Sequence, residues 1–221
     1  SGSITSGSFA AKVDFTTGVN SWAWGVALGD IDGDGKPDLV VANFGSNSVS
    51  VFKNTSTPGS ISTSSFAARV DFSTGTAPNA VAIGDIDGDG KPDLAVANYT
   101  SSTVSVFRNI STSGTIATGS FTTKVDFTTG TNPYCVSIGD IDGDGKPDLA
   151  VANYTSNTVS ILRNTIALPP PPTISSFSPT SGQIGSNVTL TGTNFSTTPA
   201  NNIVWFGAVK ATVSAATSTS L

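Results

Sequence analysis

Asp30-Ile31-Asp32-Gly33-Asp34-Gly35-Lys36-Pro37-Asp38 occurs three times in this chain, returning unchanged at residues 85–93 and 140–148. The copies are 55 residues apart. A fixed period of this order marks one supersecondary unit stacked on its neighbours. The pattern D-x-D-x-D-G-x-x-D places carboxylates at positions 1, 3, 5 and 9. They are Asp30, Asp32, Asp34 and Asp38, then Asp85, Asp87, Asp89 and Asp93, then Asp140, Asp142, Asp144 and Asp148. The backbone carbonyls of Lys36, Lys91 and Lys146 fall between the last two. Calcium takes about 6–8 hard oxygen ligands, whereas magnesium demands a small octahedral site, so three Ca²⁺ sites are expected. Gly33 and Gly35 permit the positive φ needed to curl the backbone round an ion, and Pro37 fixes the exit direction. Four carboxylates this close repel one another strongly without a cation. An EF-hand loop would carry a bidentate acid at its twelfth position. Val41, Val96 and Val151 stand there instead, and the flanks read as strands.

Working outward from the loop, residues 25–29, 80–84 and 135–139 precede it and residues 39–42, 94–97 and 149–152 follow it. Both stretches are small and apolar without alternation, which predicts strands buried on both faces. Residues 48–52, 103–107 and 158–162 alternate, as do residues 9–15, where Phe9, Ala11, Val13 and Phe15 interleave with polar side chains. The latter strand recurs around Phe66 to Phe72 and Phe121 to Phe127. Lys12 with Asp14, Arg69 with Asp71 and Lys124 with Asp126 read as solvated pairs worth under about 1 kcal/mol. Each repeat is thus four short strands joined by tight turns, as a β-propeller blade requires. The first copy departs from the others between Phe15 and Asp30, where it reads as carrying two extra residues, including Trp22 and Trp24. These tryptophans are candidate ligand contacts, stacking on a sugar face; the alternative is that they plug an end blade or a neighbour contact.

All 15 acidic residues are aspartate, and twelve lie in the three loops, so the negative charge belongs to metal sites rather than to a surface. Three divalent ions would bring the formal charge from −5 to about +1. The ten Lys and Arg are scattered singly, which excludes nucleic acid as a partner. The chain has no histidine and no glutamate, and its only acidic clusters are consumed by metal, so it reads as non-catalytic. The single cysteine, Cys135, aligns with Ala80 and reads as a small buried apolar residue. No apolar run reaches the ~18 residues of a membrane span. Abundant Ser and Thr, low charge and weak aspartate loops together point to an extracellular, secreted or cell-surface setting, where free calcium is high.

The segment GDIDGDGKPDLAVAN, preceded by TGTAPNAVAIG, resembles the FG-GAP and VCBS repeats of integrin-α-type β-propellers. The resemblance implies that each loop links two inner strands of a blade and that its calcium is structural, with ligands binding elsewhere. Beyond a proline-rich linker at residues 167–172, the stretches around Phe177-Ser178-Pro179 and residues 188–195 resemble an IPT/TIG immunoglobulin-like domain. The expected fold is all-β: three four-stranded propeller blades of about 55 residues over 1–166, then an incomplete Ig-like β-sandwich over 173–221. Its last strands are expected to be missing, leaving a sheet edge open. The first residues, Ser1-Gly2-Ser3-Ile4, align with later repeats.

Three blades do not close a ring, since propellers have about 4–8. Two readings follow: an excerpt of a longer surface protein, which is preferred, or a subunit whose ring is completed by neighbouring chains, two copies giving six blades. The expected function is a calcium-stabilised adhesion or structural module at a cell surface. Its partners would be a protein or glycan ligand or other copies of itself, with no membrane insertion in this segment. The alternatives are a carbohydrate-binding module of a secreted enzyme and a self-assembling filament or oligomer subunit.

Overall fold

The computed structural model describes residues 3–167, 170–181, 183, 185–199, 202–207 and 209–221. Ser1 and Gly2 of the aligned N-terminus, and Leu168 and Pro169 of the expected linker, lie outside the described residues. The chain divides into two compact units, Ser1–Thr165 and Ile166–Leu221. It is all-β, every sheet is antiparallel, and no α-helix occurs among the described residues. No helix among them is long and apolar enough to cross a membrane.

The first unit holds eleven strands: β1 (Ala23–Gly29), β2 (Asp38–Asn43), β3 (Ser48–Phe52), β4 (Val70–Ser73), β5 (Pro78–Gly84), β6 (Asp93–Asn98), β7 (Thr103–Phe107), β8 (Val125–Thr128), β9 (Pro133–Gly139), β10 (Asp148–Asn153) and β11 (Thr158–Leu162). They form two four-stranded meanders, β1-β2-β3-β4 and β5-β6-β7-β8, and a three-stranded sheet, β9-β10-β11. The frame of the sheets is therefore offset from the frame of the sequence repeat. The strand that opens each sequence copy pairs with the last strand of the copy before it, as in Ser50 opposite Asp71 and Ser105 opposite Asp126. The expected strand over residues 9–15 is accordingly not a strand. Extended backbone needs a partner for its N–H and C=O groups, and among the described residues no strand lies beside it. For the same reason the third sheet has three strands rather than four.

Two apolar clusters stack the sheets. Val40, Val49, Val51 and Phe72 of the first sheet meet Leu94, Val96, Phe107 and Phe121, with Val81 and Ile83 packed alongside. One repeat further on, Ala95, Ala97 and Val104 meet Val136, Leu149 and Val151, with Ile138 and Leu162 alongside. The same pair of faces is used twice, one repeat apart. Gly29 and Gly84 sit where a Cβ would press on Ile83 and Ile138 respectively, so absence of a side chain sets the sheet spacing there.

Strands β2 and β6 are buried on both faces as expected, but β1 and β9 are not. Val26 and Leu28 of β1 are 64% and 66% exposed. Cys135 of β9 is exposed as well, whereas its counterpart Ala80 packs on the second cluster. The cause is position in the stack: β1 and β9 belong to end sheets, each covered on one side.

The second unit holds β12 (Thr173–Ser178) paired with β13 (Thr189–Thr193), and a short hairpin of β14 (Trp205–Phe206) and β15 (Val209–Lys210). Leu190 and Phe195 are its buried apolar residues among those described. The free edge expected on this sheet is partly covered. Leu190 N donates to the Leu221 carbonyl, Leu221 N donates back to Leu190, and Gly192 N donates to Thr219 O.

Candidate metal centre

Each acidic loop leaves the last residue of one strand (Gly29, Gly84, Gly139) and enters the next at its ninth residue (Asp38, Asp93, Asp148), so a β-hairpin fixes both ends. Gly33 and Gly35 hold φ of 69° and 87°, in the left-handed region that favours glycine. Gly88, Gly90, Gly143 and Gly145 repeat this. The curl turns backbone donors inward: Asp34 N donates to Asp30 Oδ1 at 3.0 Å and Gly35 N to Asp30 Oδ2 at 2.8 Å.

The result is convergence. Carboxylate oxygens of Asp30, Asp32 and Asp38 lie within 4.8 Å of one another, as do those of Asp85, Asp87 and Asp93, and of Asp140, Asp142 and Asp148. The fifth-position aspartates are outside these groups. Asp34 and Asp32 pair with Lys53, Asp89 and Asp87 with Arg108, and Asp144 and Asp142 with Arg163. The lysines inside the loops donate their backbone N–H to the fifth-position carboxylates, and the Lys36 and Lys91 ammoniums reach the carbonyls of Ser56 and Ser111. Each loop thus sets two cationic side chains against four carboxylates, leaving two negative charges.

Asp38 is fully buried and accepts Ile31 N at 2.9 Å and Asn54 N at 2.8 Å. Asp93 and Asp148 repeat this with Ile86, Asn109, Ile141 and Asn164. Burial pushes the Asp38 carboxyl above its ordinary pKa and takes Asp93 up to about 6. The hydrogen bond from Lys53 pulls Asp34 down, and that from Arg163 pulls Asp142 down.

Although their sequences are identical, the three loops sit in different surroundings. Asn109 Nδ2 donates to the Ile31 carbonyl in the first loop at 2.8 Å, and Ser111 Oγ adds a bond to the same oxygen. Gly114 N donates to Asp32 O. Asn164 Nδ2 serves Ile86 O in the second loop in the same way. The third loop has no such roof among the described residues, and the isoleucine shows it: Ile31 is 1% exposed, Ile86 7% and Ile141 53%.

The tryptophans lie at the opposite end of the strands. Trp22 holds φ of 48°, matching Ala77 and Asn132 one and two repeats on, and its carbonyl accepts Phe44 N as theirs accept Tyr99 N and Tyr154 N. Trp22 and Trp24 therefore occupy repeat positions; the two extra residues lie upstream of them. Trp22 stacks near Phe44, Trp24 contacts it at 4.6 Å between ring centroids, and Phe44 leads to Tyr99 at 6.3 Å. A Cβ at Gly45 would fall on the Asn20 carbonyl, so that turn admits only glycine.

A family model for the FG-GAP-like repeat matches the chain three times, over residues 3–41, 30–96 and 85–151. The chain belongs to the FG-GAP-like repeat family. In this FG-GAP chain the matches are followed by an IPT/TIG domain over residues 172–221. No curated protein matches the chain.

Three groups of residues in the FG-GAP repeats escaped the sequence reading. The cations Lys53, Arg108 and Arg163, and the asparagines Asn54, Asn109 and Asn164, recur at the 55-residue period directly after the third strand. That recurrence was visible in the sequence. The third group is a relay in which Asn43 Nδ2 donates to Ser50 Oγ and Ser50 Oγ to Asp71 Oδ1 at 2.6 Å, repeated by Asn98, Ser105 and Asp126. Asp71 and Asp126 are thus more than solvated partners of Arg69 and Lys124. Asp14, paired with Lys12 in solvent, is the one copy that fits the simpler reading.

Proposed function

We propose that this FG-GAP chain is a calcium-stabilised, non-catalytic module of adhesion type acting outside the cell. Its three sheets serve as β-propeller blades and its IPT/TIG segment as an Ig-like domain. The observation that carries the reading is the convergence of three carboxylates within 4.8 Å in each of three loops. The donor set is all oxygen, without imidazole or thiolate, which suits a hard cation. The residual charge of each loop is balanced by one divalent ion. Asp30, Asp32 and Asp38 and their counterparts would hold it, with Asp34, Asp89 and Asp144 and the carbonyls of Lys36, Lys91 and Lys146 as the further expected ligands. The ion supplies charge neutralisation and a cross-link between neighbouring strands. FG-GAP and IPT/TIG domains generally serve adhesion and structure rather than catalysis, which supports the surface role.

Calorimetric titration with Ca²⁺ and with Mg²⁺, alongside melting in excess chelator, tests this. Heat on calcium addition and a melting temperature lowered by chelation are expected. No heat and an unchanged melting temperature would refute it.

The aromatic row from Trp22 and Trp24 through Phe44 to Tyr99 favours a second reading, a glycan-binding surface, because exposed rings stack on sugar faces. Glycan-array binding lost in Trp22→Ala and Trp24→Ala is the expected outcome; binding that survives both changes counts against this site.

A further inference from the structure

The end sheets of the first unit carry a matched set of unmet contacts, and the repeat itself says what meets them. In the first two sheets, the fourth strand is supplied by Val-Asp-Phe followed by Ser or Thr: β4 beside β3 and β8 beside β7. Strand β11 has no such neighbour among the described residues. Residues 13–16 read Val-Asp-Phe-Thr, identical to β8, and pair with no strand among the described residues. The relay serine follows suit. Ser50 donates to Asp71 and Ser105 to Asp126, both at 2.6 Å. Ser160, the third of the series, reaches no aspartate among the described residues, while Asp14, the first of its series, faces solvent with Lys12.

The apolar positions complement in the same way. Phe72 packs edge-on against Phe121 at 5.0 Å, whereas its counterpart Phe127 is 43% exposed. Phe9, the first-copy counterpart of Phe121, is 84% exposed. Gly29 and Gly84 face Ile83 and Ile138, while Gly139 faces open space and Leu28, counterpart of that isoleucine, is uncovered. Val49 and Val51 are fully buried by the second sheet, but Val159 and Ile161 at the same positions are 65% and 52% exposed. Roofing repeats the pattern: Asn109 and Asn164 each reach back to an isoleucine carbonyl, whereas among the described residues Asn54 Nδ2 bonds only Pro37 O and the Ile141 loop is uncovered.

We propose that a second copy of this chain docks head-to-tail on the third sheet. Residues 13–16 of the second copy add to β11 as its fourth strand, and its β1 face covers Val159 and Ile161. Phe9 then fills the place beside Phe127, Asp14 accepts from Ser160, and Asn54 roofs the third acidic loop. Each of these contacts is an internal contact of the chain moved on by one repeat. The surface is continuous with an interface the fold already makes twice. It is heterologous, so repetition closes a ring or runs into a filament. Strand addition supplies main-chain hydrogen bonds, and the alternate side chains supply register. The proposal stands on the packing and does not depend on the calcium reading of the acidic loops.

Sedimentation velocity of the intact chain over a range of concentrations is the test, with two face variants. Val26→Asp and Val159→Asp alter side chains that are exposed in the single chain, so both fold, as circular dichroism checks. The wild type is expected to associate above its 22.2 kDa monomer mass. Each variant alone should lose association. An equal mixture should recover a one-to-one pair, because one variant keeps a sound β1 face and the other a sound β11 face. Register is read separately with Asp14→Cys in one chain and Ser160→Cys in another, both carrying Cys135→Ala. Residues at the corresponding positions 50 and 71 are direct cross-strand partners, within disulfide reach. A disulfide-linked product at twice the monomer mass is expected, and Lys12→Cys in place of Asp14→Cys should not give it. A wild type that stays monomeric at every concentration overturns the proposal. So does a variant mixture that remains monomeric, or cross-linking that ignores register.

Discussion

Replacing Asn109 by alanine tests whether the sheets are held by polar clamps as well as by their apolar faces. The side chain is fully buried. Its amide donates to Ile31 O at 2.8 Å and to Pro92 O at 2.9 Å, and its Oδ1 accepts Ser111 N at 2.9 Å. Only the first of these crosses between sheets. The Ile31 carbonyl keeps its bond from Ser111 Oγ, but Pro92 O and Ser111 N are left without these partners. At about 1 kcal/mol for each bond lost, more where a buried group is stranded, Asn109→Ala should cost about 3–4 kcal/mol. At concentrations where the chain is single, Asn54→Ala is the internal control, because there Asn54 makes the bonds to Pro37 O and Ser56 N and none between sheets among the described residues. It should cost about 2 kcal/mol. For a unit of this size that is a fall of about 6–16 °C in Tm for Asn109→Ala and about 4–8 °C for Asn54→Ala. Scanning calorimetry in saturating calcium reads both, with urea unfolding as a second measure. If Asn109→Ala is no more destabilising than Asn54→Ala, the clamp between sheets contributes nothing and the reasoning fails.

Three further outcomes are expected. In the single chain the acidic loops should fill unequally: Asp140→Asn should barely alter the tightest calcium-binding step in a titration, whereas Asp30→Asn should remove it, because the third loop is unroofed there. In calcium-free buffer, the Asp93 carboxyl, raised to about 6 by burial, lies above the ordinary ~3.9 of an unfolded aspartate. The folded state then holds the extra proton, so this contribution is full below about pH 4 and is lost as pH rises through 6; Asp93→Asn should flatten that slope in urea titrations. Phe72→Ala should cost about 3–5 kcal/mol. In the single chain Phe127→Ala should cost less than half as much, since Phe72 is 8% exposed and Phe127 43%; equal losses in chemical denaturation would contradict the packing described.

Much of this was legible because the repeat makes the sequence its own alignment. Asp30 and its eleven companions were found by spacing alone, and the strands on either side of them by runs of Val, Ala and Leu. The cations and asparagines after the third strand, Lys53-Asn54, Arg108-Asn109 and Arg163-Asn164, carried the same period but no known chemical pattern. Cys135 was misjudged because composition sees a residue type, while exposure depends on which sheet lies alongside.

By itself the sequence determined the all-β class, the repeat and the acidic loops, since side-chain period and ligand spacing are local properties. Tertiary structure alone decided the frame of the sheets. Nothing local says whether residues 70–73 pair forward or back, because hydrogen-bonding partners belong to another strand. It also decided that three identical loops are unequal, with Ile31 buried and Ile141 open. Burial is set by what is stacked on a residue, and the third loop has no following sheet above it among the described residues.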